Sequence, residues 1–167
     1  MQKQYIIFEK IHHFLSKQFK NELIETKEYA DCEEGTHLTI SDSGIWLSVN
    51  NWEIIMGYDG NWDYYNFDYI EIDDFFEIFV AILTRKKRKT CFFKGKWCYK
   101  VEAELENAEG EYKTLSVSTT WLFPFWRKTQ TKISIIPNLI DYEEIEEELL
   151  KLEKSIQQSI ENIEENE

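Results

Sequence analysis

Apolar residues near the start of the chain recur at steps of three and four, which is the period of an amphipathic helix. The residues in this pattern are Ile7, Phe8, Ile11, Phe14, Leu15 and Leu23. From residue 36 the period becomes two, with Asp42-Ser43-Gly44 and Asn50-Asn51 as reversals. This alternation predicts three hairpin-linked strands, of which the third runs from Trp52 to Tyr58.

A second helix is predicted to begin at Asp73 or Asp74, because Asp74 and Glu77 have the spacing of a capping box. The basic run at residues 85–89 is expected at its last turn, where cations meet the negative end of the helix dipole. A period of two then returns. It predicts four more strands, in residues 91–93, 97–105, 112–122 and 131–136.

The last helix is predicted over residues 140–163, with Asp141 as its N-cap and residues 164–167 as a frayed tail. Its apolar stripe steps by three and four and consists of Tyr142, Ile145, Leu149, Leu152, Ile156, Ile160 and Ile163. We expect a sheet face of the same chain to cover this stripe. The alternatives are a partner helix and self-association.

The order of these elements is one helix, three strands, one helix, four strands and one helix. Runs of adjacent hairpin-linked strands form antiparallel sheets, with helices on one face or at the ends. The sequence therefore predicts a single α+β domain over residues 1–167. Its architecture is an antiparallel meander sheet with helices at the N-terminus, in the middle and at the C-terminus.

Charge lies in blocks along the chain, within a net charge of −13. Residues 31–80 hold twelve acids and no Lys or Arg, residues 81–100 hold eight Lys and Arg and no acid, and residues 141–167 hold eleven acids and two lysines. Aromatic residues are interleaved with the first block. Such a surface suits a basic protein partner, because charge steers the encounter and aromatics supply buried anchors. It argues against direct nucleic-acid binding, which needs a basic footprint.

Three cysteines, Cys32, Cys91 and Cys98, suit a reducing compartment better than a disulfide framework, since their number is odd. The N-terminal residues lack the continuous apolar core of a signal peptide, and no apolar run approaches the roughly 18 residues of a membrane span. We therefore expect a cytoplasmic protein with no membrane contact.

No catalytic, cofactor-binding or metal-binding motif stands out. Asp59-Gly60-Asn61-Trp62-Asp63 begins like a calcium loop, but Tyr64 and Ile70 occupy the positions where that loop needs Gly and Glu. Cys32 and His37 have no close Cys pair that would complete a zinc site. No histidine has the neighbours that orient a base for nucleophilic catalysis. We expect no enzyme, no cofactor and no metal.

Aromatic residues surround Pro124, which cannot donate to a sheet ladder and therefore indicates a bulge, an edge or a loop. We expect Trp121 and Phe123 to lie in the core, and Trp126 with Arg127 to form an interface pair. In the first half of the chain, the tryptophans of the predicted strands are expected to pack within the sheet; these are Trp46 and Trp52.

Residues 36–105 contain a strand meander, an apolar helix and a hairpin turn in succession. The meander includes Gly44-Ile45-Trp46-Leu47-Ser48-Val49 and Glu53-Ile54-Ile55-Met56-Gly57-Tyr58, and Trp62 follows it. The hairpin turn after the helix is Lys94-Gly95-Lys96-Trp97. It resembles small immunity proteins of bacterial polymorphic toxin systems. The resemblance implies a stoichiometric inhibitor that binds its cognate toxin and blocks it.

We therefore expect an acidic, protein-binding inhibitor of the immunity type, whose partner is a basic toxin or a nucleic-acid-processing enzyme. The expected partner-binding residues are Asp59, Trp62, Asp63, Tyr64, Tyr65, Asp68 and Trp126. One alternative is a phage-type inhibitor or nucleic-acid mimic that presents the glutamates of residues 143–148 to a host defence enzyme. The others are a small-ligand-binding domain or enzyme with an aromatic pocket, and an assembly subunit.

Overall fold

The computed structural model describes residues 2–20, 23–29, 35–58, 61–65 and 72–165, except for the side chains of residues 61–64. In this part of the chain the structure has three helices and two antiparallel sheets, so the predicted α+β class is confirmed. The elements are α1 (Lys3–Gln18), β1 (Ile24–Tyr29), β2 (Gly35–Ile40), β3 (Ile45–Asn50), β4 (Ile54–Tyr58), β5 (Asn61–Tyr65), α2 (Ile72–Thr84), β6 (Lys87–Lys94), β7 (Trp97–Glu106), β8 (Tyr112–Thr119), β9 (Thr129–Ile136) and α3 (Tyr142–Glu164).

The chain forms two compact units. Residues 1–80 and 141–167 make the first unit, and residues 81–140 make the second. Helix α2 belongs to the first unit up to Val80 and to the second from Ala81. The single domain expected from the sequence stays a prediction.

The sheet of the first unit has the strand order β1-β2-β3-β4-β5, and each strand is antiparallel to the next. The predicted meander is confirmed, with one more strand at each end than the sequence predicts. The four central residues of β1 are all exposed, so this strand has no apolar alternation by which its sequence could be recognised.

The turn between β2 and β3 is built by the predicted Asp42-Ser43-Gly44. Asp42 and Gly44 adopt left-handed φ values of 61° and 74°, which Asp and Gly tolerate better than most residues. The Ser43 hydroxyl donates to the Ile40 carbonyl at 2.6 Å and accepts from the Ile45 N–H at 3.0 Å. These local bonds fix the register of the hairpin.

The next turn departs from the prediction, because β4 begins at Ile54 rather than at Trp52. Asn50 Oδ1 accepts from the N–H groups of Trp52 and Glu53, at 2.8 and 3.0 Å, so the turn extends over both residues. Trp52 therefore lies outside the ladder and is 68% exposed; the expectation that it packs within the sheet is wrong. Trp46, on β3, is half-buried.

Helices α1 and α3 lie side by side in the first unit, and lysines of α1 join them. The contacts are Lys3 Nζ to Glu164 Oε1 at 2.7 Å, Lys10 Nζ to Ser155 Oγ at 2.5 Å, and Lys17 Nζ to Glu148 Oε1 at 2.6 Å. The lysines are spaced seven residues apart. Because seven residues make almost two helical turns, they share one side of α1. Their partners run in the opposite sequence direction, so the helices are antiparallel.

Asp141 caps α3 as predicted, since its side chain accepts from the Glu143 N–H at 3.1 Å. The centre of the predicted apolar stripe is buried, at Ile145, Leu149, Leu152 and Ile156. The expectation that a sheet face covers this stripe is wrong, because its contacts within the chain are mainly with α1. Two amphipathic helices that pack together bury both stripes at once.

The sheet of the second unit has the order β8-β7-β6-β9, again antiparallel throughout, and its four strands were all predicted. One expectation is corrected. Helix α2 ends at Thr84 with no basic residue in its last turn, and most of the basic run lies in β6, which begins at Lys87. Residues 87–89 pair with β7 on one side and β9 on the other, and these ladder hydrogen bonds replace a further helical turn.

Lys87 is fully buried in the second unit. Its ammonium donates to the carbonyls of Ile82 and Arg85, at 2.8 and 3.1 Å. These carbonyls lie at the C-terminal end of α2, where the helix leaves its last acceptors without partners. The expected interaction between a cation and this helix end therefore exists, but the cation comes from the following strand. Burial lowers the pKa of Lys87 to about 8.

We expect Leu149→Ala to lower the free energy of unfolding by about 2–5 kcal/mol, because it opens a cavity between α3 and α1. Leu150→Ala is the matched control on the same helix, since Leu150 is 48% exposed; it should cost about 0.5 kcal/mol or less. Urea unfolding followed by circular dichroism measures both. Equal losses in the two variants would contradict the described packing.

The lowered pKa of Lys87 predicts a pH-dependent stability. The folded state binds this proton more weakly than the unfolded state, so stability rises between pH about 8 and the ordinary lysine value of 10.5. Relative to Lys87→Met, the wild type should gain on the order of 3 kcal/mol across this window. Chemical unfolding at several pH values measures the difference.

Lys113→Met is the control for this experiment, because Lys113 is an exposed lysine of the same unit. Lys113→Met should change the free energy of unfolding by about 0.5 kcal/mol or less. A difference between Lys87→Met and the wild type that stays constant with pH would contradict the lowered pKa of Lys87.

Candidate interaction surfaces

The predicted partner-binding residues lie mainly around strand β5 of the first unit. Trp62, Asp63 and Tyr64 are in this strand, whose backbone pairs with β4, and their side chains lie outside the described part of the chain. Asp59 and Asp68 lie outside the described residues altogether. Strand β5 is at the edge of its sheet.

Tyr65 is buried, which corrects the expectation that it faces a partner. Its side chain is 7% exposed, and its ring meets Phe75 edge-on with the centroids 4.9 Å apart. Phe75 in turn stacks on Phe79 at 6.2 Å. The register of the sheet places Tyr65 opposite the buried Ile54, so the ring joins the aromatic core beside α2. A core ring of this kind orders the strand that carries it, and it offers no contact area to a partner.

Trp126 belongs to the second unit, in the connection between β8 and β9, residues 120–128, which we name the aromatic loop. Large apolar side chains of this loop are exposed: Trp121 by 83%, Leu122 by 67%, Phe125 by 76% and Trp126 by 73%. Side chains of this size are normally buried, and clusters that stay exposed mark interaction surfaces. Trp126 is thus exposed, as an interface residue must be.

The expectation that Trp121 lies in the core is wrong. Strand β8 ends at Thr119, and the Thr120 N–H bond to the Tyr99 carbonyl, at 2.8 Å, is the last contact before the chain leaves the ladder. Phe123 is half-buried and stacks on Tyr99 with the centroids 4.4 Å apart. The loop is therefore held to β7 by Phe123, while the tryptophans on either side of it are left exposed.

The two units carry net charges of opposite sign. The second unit has 12 Lys and Arg against 5 Asp and Glu, a net charge of +7. The first unit has 7 against 27, a net charge of −20. The acidic character of the chain thus belongs to the first unit alone, and the two units suit partners of opposite charge.

Cations surround the aromatic loop. Residues 91–101 and 118–133, which we name the cationic end, contain six Lys and Arg and no Asp or Glu. These are Lys94, Lys96, Lys100, Arg127, Lys128 and Lys132. Arg127 lies against Gly95 in the β6–β7 turn, since a Cβ atom on Gly95 would come within 2.5 Å of the guanidinium. Lys96 lies over the ring of the half-exposed Trp97, 5.9 Å from its centroid.

The acids of the second unit are confined to residues 102–111. Three of them are paired with cations: Arg88 with Glu104 at 2.6 Å, Lys86 with Glu106 at 3.6 Å, and Lys100 with Glu102 at 2.5 Å. The hydrogen bond from Arg88 holds the pKa of Glu104 below its usual range. Pairing therefore neutralises this part of the sheet, and the excess positive charge remains at the cationic end.

In the first unit, the N-terminal half of α3 is an acidic face. Glu143, Glu144, Glu146 and Glu147 are exposed. Glu148 is part-buried and bound by Lys17 and Gln18, and the Lys17 hydrogen bond lowers its pKa. Of the five glutamates named for the mimic alternative, four thus present carboxylates to solvent.

A groove of about 520 Å³ runs between α1 and α3, over Phe14 and Leu152. Four of its polar side chains bond to one another in pairs, Lys10 to Ser155 and Lys17 to Glu148. A small-ligand site or an acid–base enzyme would be supported by paired carboxylates with raised pKa values. Glu148 lines this groove, and its pKa is lowered rather than raised. The groove therefore does not favour a small-ligand site or an acid–base enzyme.

Among the described residues, no group of three or more His, Cys, Asp and Glu is placed to hold a metal ion. No described helix is long and apolar enough to cross a lipid bilayer. No protein-family model, curated protein or solved structure matches this chain.

Two features of these surfaces escaped the sequence reasoning. The first is the exposure of Leu122 and Phe125. The flanking Arg127 and Lys128 could have indicated this exposure, because apolar core segments rarely carry such charges. The second is the seven-residue spacing of the α1 lysines, which the sequence shows directly but whose partners lie more than a hundred residues away.

The exposure pattern predicts which aromatic residues matter for stability. Trp121→Ala and Trp126→Ala should change the free energy of unfolding by about 0.5 kcal/mol or less, because both side chains are mostly exposed. Tyr65→Ala should cost about 3–5 kcal/mol, because it empties a site in the aromatic core. Thermal or urea unfolding measures the three variants. A large loss in either tryptophan variant would place the aromatic loop in a core.

Proposed function

We propose that the protein is a non-catalytic inhibitor of the immunity type, which binds a basic partner protein stoichiometrically through its first unit. The observation that supports this most is the concentration of charge, since the first unit carries −20 while the second carries +7. An acidic body attracts a basic partner over a Debye length and raises the association rate. A nuclease toxin or another nucleic-acid-processing enzyme has a basic substrate groove that fits this description.

Strand β5 and its neighbours remain the proposed contact region. Asp59, Asp63 and Asp68 would supply the charge pairs, with Trp62 and Tyr64 as the anchors. An edge strand suits this role, because a partner can pair with the backbone groups along its outer side. Tyr65 supports the strand from the core, and Trp126 belongs to the second unit, whose net charge is positive.

A reducing compartment such as the cytoplasm belongs to the proposal. Cys98, one of the two described cysteines, is a free thiol with an exposed side chain. An exposed thiol persists where disulfides are kept reduced.

A nucleic-acid mimic is the second candidate, favoured by the four exposed glutamates of α3. Such a mimic presents carboxylates where a duplex presents phosphates, and its partner is a nucleic-acid enzyme. The two candidates differ in one observable. A partner held by mimicry is displaced by duplex DNA, whereas a partner blocked outside its nucleic-acid groove is not.

We expect the immobilised protein to retain one basic protein from native lysate in a stoichiometric complex, identified by mass spectrometry and sized by light scattering. The triple variant Asp59→Lys, Asp63→Lys and Asp68→Lys should bind this partner about tenfold more weakly or worse, mainly through faster dissociation, because contact charges act on the off-rate. Surface plasmon resonance separates the two rates.

The matched control reverses three exposed charges elsewhere in the first unit, with Glu146→Lys, Glu147→Lys and Glu161→Lys. It should slow association by loss of steering and leave dissociation unchanged. Identical kinetics for the two triple variants would contradict the proposed contact region, and the absence of any stoichiometric basic partner would contradict the inhibitor itself.

A further inference from the structure

The aromatic loop is a fixed feature of the second unit. The Arg127 N–H donates to the Pro124 carbonyl at 3.1 Å, which closes a turn at its tip. Phe125 and Trp126 meet edge to face with centroids 5.2 Å apart. Phe123 ties the loop to β7 through Tyr99. The rings of Phe125 and Trp126 thus contact each other before any partner arrives, which lowers the entropic cost of binding.

The charge around the aromatic loop indicates which class of partner could bind it. The cationic end holds six Lys and Arg without an acid, and internal pairing accounts for Lys100. The occupant must therefore accept apolar side chains at its surface and carry negative charge beside them. An anionic lipid bilayer combines both, since Trp, Phe and Leu partition into the headgroup region while Lys and Arg contact the anionic headgroups.

Two other anionic partners fit less well. Single-stranded nucleic acid stacks its bases on aromatic faces along a groove, and Leu122 offers no ring to stack on. An acidic protein would need a deep apolar pocket to cover two tryptophans that are each more than 70% exposed. A bilayer deforms around a protruding loop and needs no matching pocket.

We propose that the aromatic loop docks the protein on an anionic membrane surface, with Trp121, Leu122, Phe125 and Trp126 entering the interface. The inference does not rest on the proposed inhibitor function. No described helix could span a bilayer, and peripheral docking requires no spanning segment, so the expectation of no membrane contact does not exclude it. An anionic surface attracts the positive charge of the cationic end and repels the acidic first unit.

The experiment is co-sedimentation of the full chain with vesicles of phosphatidylcholine alone and of phosphatidylcholine with phosphatidylserine. Wild-type protein should bind the anionic vesicles, bind the neutral ones far more weakly, and dissociate at high salt. The double variant Trp121→Ala and Trp126→Ala should lower the partition coefficient by about tenfold or more, and Arg127→Glu with Lys128→Glu should do the same. The wild-type tryptophan fluorescence should shift to shorter wavelength on binding.

Trp52→Ala is the matched control, because Trp52 is a similarly exposed tryptophan of the acidic unit. It should bind anionic vesicles like the wild type. Failure of the wild type to bind, or an equal loss in Trp52→Ala, would overturn the proposal. Loop-dependent binding of oligo(dT) without vesicle binding would overturn it in favour of nucleic acid, and a loop-dependent dimer without vesicle binding in favour of a second copy.

Discussion

The antiparallel contact between α1 and α3 is the constraint on which the first unit depends. The meander sheet cannot bury its apolar face by itself, so helices must cover the side chains of that face. These helices come from distant parts of the chain, and three lysines at seven-residue intervals align them. Polar contacts run along one side of the helix pair, while the buried stripe of α3 supplies the apolar contact.

Where local chemistry decides an element, the sequence was sufficient. Asp42-Ser43-Gly44 builds its turn with its own hydroxyl and left-handed backbone, and Asp141 caps its helix with its own carboxylate. Where an element depends on neighbours, the sequence misled. The positive charge of residues 87–89 indicates the C-terminal end of a helix. In the structure these residues instead pair with β7 and β9 and belong to a sheet. Lys87 still donates a hydrogen bond to the end of α2, at the Ile82 carbonyl.

The sequence predicts the composition of the candidate surfaces but not which of their side chains are exposed. A run of aromatic residues indicates that a contact is possible, but the register of the sheet decides which rings are buried. Tyr65 is buried because it pairs with Ile54, and Trp121 is exposed because β8 ends before it. The net charge of −13 concealed two opposite values, which became visible only when the compact units divided the chain.

The order of the elements also bears on synthesis by the ribosome. About 120 residues separate the end of α1 from the start of α3. At about 5–20 residues per second, the apolar stripe of α1 waits roughly 6 to 24 s for its partner, whereas all four strands of the second unit emerge meanwhile. The inserted unit can thus fold before α1 and α3 meet.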